Sequence, residues 1–219
     1  MKEDICTIPV SEIFEKKDGC PFCRMYNMLE EHLVDYILGP AMMEVDVRAS
    51  TNRLGFCARH YLLMTQQNDR LPLALTIESR LDEITSGISH HAGAHAQRCF
   101  LCERTEHSMS RLTDTFFRLW KNEAEFRALA LAQPFYCLPN FEMLLTQGRE
   151  ALGRRGFGDF EKALAETERQ SIAAVRADIA RFCEMFDYRN VGAAGAPRDT
   201  VERAIRLLAG DTRFQTEKR

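Results

Sequence analysis

Two short motifs occur twice in this chain at nearly the same separation, and that pattern limits the fold more than any other feature. Cys20-x2-Cys23 is followed, after 33 residues, by Cys57-x2-His60. Cys99-x2-Cys102 is followed, after 34 residues, by Cys137-x2-Asn140. The surroundings repeat too. GFCARHYLLM and FYCLPNFEMLL each place an aromatic residue before the cysteine, another after the fourth position, and an apolar run beyond. Self-similarity at this spacing marks a duplicated supersecondary unit. The expected units are residues 19–66 and 98–147, each a helical hairpin with a site at its base, followed by a C-terminal helical extension over 156–210. All of these are expected to form a single helical domain over 1–219.

The apolar spacing supports an all-α fold. Between Pro21 and Leu38 apolar residues fall at Phe22, Met25, Met28, Leu29, Leu33, Tyr36 and Ile37, which is one face of a helix. Pro21 suits a first helical turn, and Gly39-Pro40 ends it. Helices are expected after Cys57, over RLPLALTIESRLDEITSGI, from about Phe100 to before Pro134, after Pro139 and over RDTVERAIRLLAG. GRRGFGDF reads as a glycine-rich break. Phe160, Leu164, Ile172, Val175, Ile179 and Phe182 read as the buried stripe of the helix that follows. No run of strands is legible.

The four motifs carry the chemistry. Residues three apart at the start of a helix project to one side of its first turn. Cys20, Cys23, Cys57 and His60, facing one another, would supply three sulfurs and a nitrogen at the corners of a tetrahedron, which is a closed, structural zinc set. Unpaired amides at the helix N-termini favour the thiolates that such a set needs. Cys99, Cys102 and Cys137 form the second, weaker set, with Asn140 at the fourth corner. Three outcomes stay open there: plain packing of the cysteines, a fourth ligand borrowed from His107 or His95, or a metal with an open, water-filled position.

The CPFC sequence also fits a redox pair, so a thiol-based redox enzyme or sensor is the alternative. That chemistry calls for a buried strand just before the motif. VSEIFEKKDG reads instead as a short polar helix and turn, and a redox pair has no use for a CxxH partner. His90, His91 and His95 fall in a Gly/Ala-rich linker, Cys6 and Cys183 read as apolar-type residues, and no phosphate loop, GxSxG or HExxH is present.

The chain has 219 residues, 45% hydrophobic and 28% charged, with a formal net charge of -3. That is a globular composition with no call for nucleic acid or an anionic membrane as partner. Eight cysteines without a signal-peptide core point to a reducing, cytoplasmic setting. A protein partner would suit a scaffold or interaction module better than an enzyme.

Long segments, among them GCPFC, LEEHLVDYILGPAMMEVDVRASTNRLGFCARH, CFLCERTEHSMSRLTDTFFRLWKNEAEF and FCEMFDYRN, resemble a family of uncharacterised bacterial proteins, a domain of unknown function. The family's motifs are CPxC and GFCxxH in the first half, and CxxC and CLPHF in the second. Cys20, Cys23, Cys57 and His60 match the first pair, and Cys99, Cys102 and Cys137 the second. Asn140 stands where histidine is expected. The resemblance implies metal ligation by these positions and brings no established activity.

Overall fold

A computed structural model describes residues 10–67, 70–87, 98–186 and 195–211. Among these the chain is all-helical: α1 Val10–Glu15, α2 Pro21–Ile37, a 3-10 turn Pro40–Met43, α3 Val45–Leu54, α4 Ala58–Thr65, α5 Leu71–Gly87, α6 Phe100–Asn122, α7 Ala124–Leu131, α8 Leu138–Glu184 and α9 Thr200–Ala209. No strand occurs among the described residues. None of these helices is long and apolar enough to cross a membrane. The linker histidines His90, His91 and His95, together with Cys6, lie outside the described residues.

Three segments differ from the sequence reading. The expected continuous helix from Phe100 breaks at Glu123, whose backbone is extended. The break lets Phe126 fold onto Phe14 and Phe116, with ring centroids 5.2 and 5.6 Å apart. Arg127 seals the end of α6 by donating to the carbonyls of Trp120 and Lys121 at 2.8 and 3.2 Å. The GRRGFGDF break falls where expected: two helical runs, together labelled α8, meet in a kink at Gly153, whose backbone is non-helical at φ 68°; that positive φ suits glycine. Beyond the kink Phe160 and Leu164 are buried as expected, but Ile172 is exposed, because α9 is the main element packed on α8. Finally, α1 is not polar: Val10, Ile13 and Phe14 are all buried.

The chain divides into two compact units, Met1–Asn27 with Arg111–Arg219, and Met28–Ser110. The divisions fall inside α2 and α6. The first unit is centred on aromatic rings. Phe116 contacts Phe14, Phe22, Phe117 and Phe160 at 5.2–6.3 Å between centroids, and Trp120 meets Phe160 edge-on at 4.9 Å. Each fully buried ring contributes about 2–3 kcal/mol. The second unit packs Leu33, Val34 and Ile37 of α2 against Met64, Leu73, Phe100 and Leu101.

Candidate metal centres

All four cysteine motifs take the same local structure. Cys20, Cys57, Cys99 and Cys137 each sit immediately before a helix, and the carbonyl of each accepts the first helical hydrogen bond, from Arg24, Tyr61, Glu103 and Phe141. The second residue of every motif therefore lies three positions on, in the first turn. This is the geometry by which a capping side chain and its third neighbour meet over the open end of a helix. The unsatisfied N–H groups of the first turn point out of each such end, three where Pro21 or Pro139 stands in that turn, so thiolates placed there are stabilised.

The motifs pair differently from the sequence expectation. Cys57 and His60 meet Cys99 and Cys102, and Cys20 and Cys23 meet Cys137; within each group the ligating atoms lie within 4.8 Å of one another. The expected set Cys20, Cys23, Cys57 and His60 is thus replaced by an exchange of halves between the two repeats. Helix length explains it. Seventeen residues of α2 carry the chain about 25 Å away from Cys20 and Cys23, at about 1.5 Å per residue. The ten residues of α3 return only about 15 Å before Cys57. Likewise α6 has 23 residues and α7 only eight. Neither repeat contains a return helix long enough to close on its own start.

In the His60 cluster, Nδ1 of His60 lies 3.2 Å from Cys57 Sγ, 3.2 Å from Cys99 Sγ and 3.5 Å from Cys102 Sγ. Cys57 and Cys102 sulfurs are 3.9 Å apart. A tetrahedral ion with bonds of about 2.3 Å to sulfur and about 2.0 Å to nitrogen puts nitrogen about 3.5 Å from each sulfur, so the set fits with little movement. Two features hold it. Gly55, at φ 67°, turns the chain into α4, and its carbonyl accepts the Phe100 N–H at 3.0 Å, which fastens the starts of α4 and α6 together. His60 Nε2 bonds Glu30 Oε1 at 3.0 Å, and Arg59 pairs with the same carboxylate. With Nε2 committed to Glu30, Nδ1 is left to face the sulfurs, as in carboxylate–histidine–metal arrangements. Sequence reasoning missed Glu30. Its signal was an acid beside the apolar stripe of α2, where it is only 3% exposed.

The electrostatics agree. Burial works against charge on Cys99, but its bonds to His60 and to nearby backbone N–H groups outweigh that and bring the thiol down to about 6. Burial likewise opposes the His60 cation, but Cys99 and Glu30 carry it up to about 10. Burial and the neighbouring Cys99 charge push Cys102 up to about 12. The Cys99 thiolate forms readily, and Cys102 awaits a cation.

In the Asn140 cluster, Cys23 and Cys137 sulfurs are 3.4 Å apart. The Asn140 side-chain amide donates to Cys137, Cys23 and Cys20 at 3.1, 3.3 and 3.4 Å. It occupies the corner that His60 Nδ1 fills in the other cluster. No fourth histidine, cysteine or carboxylate joins these three among the described residues. His107 is exposed on α6 and does not converge on either cluster. The far side is closed by the end of α9, a contact absent from the sequence reading. Asp211 N–H donates to Cys23 Sγ at 3.3 Å, and Asn27 holds the Asp211 carbonyl at 3.2 Å. A Cβ on Gly210 would lie 3.4 Å from Cys23 Sγ and 3.5 Å from Cys137 Sγ. An Arg203–Asp178 ion pair at 2.9 Å holds α9 on α8.

The fold and these two clusters define an all-helical protein with two groups of side chains able to hold metal ions. The chain matches a family of unknown function, DUF6062, twice, over residues 1–97 and 85–215, and belongs to it. The two matches meet between the two cysteine blocks, in keeping with an internal repeat. No curated protein and no solved structure matches the chain.

Proposed function

We propose that this is a cytoplasmic zinc protein in which the ion held by Cys57, His60, Cys99 and Cys102 is structural, and that the chain serves as a metal-stabilised scaffold rather than an enzyme. One observation carries the reading. Three thiols and an imidazole nitrogen from two separate helix starts converge within bonding range of a common centre, and the imidazole is backed by a buried carboxylate. A closed set of four protein ligands leaves no position for substrate, which is the mark of a structural site. Zinc is favoured over an iron–sulfur cluster by the histidine and the tetrahedral spacing. Free thiols this close together suit a reducing compartment.

The test is the metal content of protein purified without chelator. One tightly held zinc, lost in Cys57→Ser, supports the reading. Metal-free protein with a reversible disulfide within the CPFC pair would replace it with thiol redox chemistry. Access to Cys20 counts against that alternative, since it is only 3% exposed, although Cys23 is half-buried.

A further inference from the structure

The two clusters come from the same motifs, yet what stands at their fourth corners differs in chemical kind. His60 Nδ1 is a lone-pair donor to a metal, whereas the Asn140 amide is a hydrogen-bond donor to the three sulfurs themselves. Asp211 adds a second N–H from the opposite side. Gly210 lies beside two of the sulfurs: a Cβ there would be 3.4 Å from Cys23 Sγ and 3.5 Å from Cys137 Sγ. An ion entering here finds three sulfurs and two N–H donors of the wrong sign to act as ligands.

We propose that Cys20, Cys23 and Cys137 form a three-sulfur site for a soft, thiophilic ion such as Cu(I), so that the protein carries two sites of different metal preference. The inference rests on the reading that both clusters bind metal. Closed zinc sites take four protein donors, all-sulfur sets included, and this cluster supplies only three. Soft thiolate sets select Cu(I), which is satisfied by three such ligands. Three thiolates around a monovalent ion leave excess negative charge. The Asn140 and Asp211 N–H groups and the amides at the starts of α2 and α8 all lie on the side of that charge and offset it.

The experiment uses the full chain, stripped of metal, reduced, and offered zinc and Cu(I) together under anaerobic conditions. After removal of loosely held metal, the expected result is about one equivalent of each ion, with X-ray absorption showing sulfur alone around copper. Cys23→Ser should lose the copper and keep the zinc, the retained zinc also reporting that the variant folds. Asn140→Ala should keep copper, because the amide is not a ligand. Asn140→His should exchange copper for a second zinc. Two zinc ions in the wild type with copper excluded, a nitrogen or oxygen ligand on copper, or loss of copper in Asn140→Ala would each overturn the proposal. So would a cluster that retains neither ion while Cys57, His60, Cys99 and Cys102 keep theirs. Failure of the zinc reading is separate: it would show as absence of zinc in the wild type while copper is retained.

Discussion

The two clusters are near-copies in backbone and opposites in electrostatic support. In each, a thiol just before a helix and a residue in its first turn face the same pair from another helix. The fourth-corner atom stands 3.2–3.5 Å from three sulfurs in one and 3.1–3.4 Å in the other. Each also has a buried glutamate nearby. Glu30 bonds His60 and Arg59, and although burial opposes its charge, these partners hold its carboxyl below the ordinary range. Glu168 has one oxygen accepting the Tyr136 N–H at 3.1 Å and the other with no partner, and burial pushes it up to about 7. Backbone geometry thus conserves the shape of a ligand set, while the side chains around it decide whether charge can reside there.

The largest expected effect breaks the symmetry outright. Cys57→Ser or Cys99→Ser opens a closed four-ligand set whose metal binding is coupled to folding, and should lower stability by about 3 kcal/mol or more, near 10 °C in melting temperature. Cys137→Ser should cost visibly less, since its cluster lacks a fourth ligand. Thermal melts of the metal-loaded proteins compare them. Equal losses would mean that the two sites contribute alike to the fold.

Next comes the carboxylate behind His60. Glu30→Gln keeps the shape but weakens the acceptor that orients the imidazole and removes the charge that pairs with Arg59. Metal affinity should fall by about 10- to 100-fold, read by competition with a chromophoric chelator. Unchanged affinity would show that packing alone fixes the ring.

All seven cysteine and histidine side chains of the two clusters were legible in the sequence, because cysteines at duplicated spacing in a helical chain have few other uses. Their grouping was not. Spacing along the chain says that Cys20 and Cys57 belong to one repeat, but only the lengths of the intervening helices say whether that repeat can close. Glu30, Gly210 and Asp211 were hidden for a different reason. Each acts on residues 30 or more positions away, with no local pattern to mark it. The Glu123 break was not legible either, since Phe126 continues the helical period and its packing on Phe14 and Phe116 leaves no local mark.

A smaller effect concerns the lid. Gly210→Ala forces a side chain into φ 86° and towards the sulfurs of Cys23 and Cys137. The conformation alone costs about 1–2 kcal/mol. The end of α9 should lift, and alkylation of Cys23 should accelerate while Cys57 and Cys102 are untouched. Mass-spectrometric labelling rates settle it: equal rates in variant and wild type would mean that the Gly210–Asp211 segment does not cover the cluster.

The smallest effect is expected at Glu168. Folded, the carboxyl holds its proton up to about 7; unfolded, only up to about 4.5. Between those values the native state binds more protons than the unfolded one, so the contribution of Glu168 is fully present below about 4.5 and is lost as pH rises through about 7. The window caps the effect at about 3 kcal/mol. Glu168→Gln removes the charge but leaves an amide N–H without an acceptor, a burial penalty of about 1–3 kcal/mol that takes back much of the gain. The net expectation is stabilisation of about 1 kcal/mol at pH 8 and destabilisation of about 2 kcal/mol at pH 4.5, with a flatter profile between. Part of the upward shift comes from the Cys20 thiolate, which a bound cation neutralises, so the gain should shrink when the cluster is metal-loaded. Urea midpoints at the two pH values, with and without metal, measure both. A gain that is the same at pH 4.5 and pH 8 would show that Glu168 is not the buried charge that sets this cluster apart from the one beside Glu30.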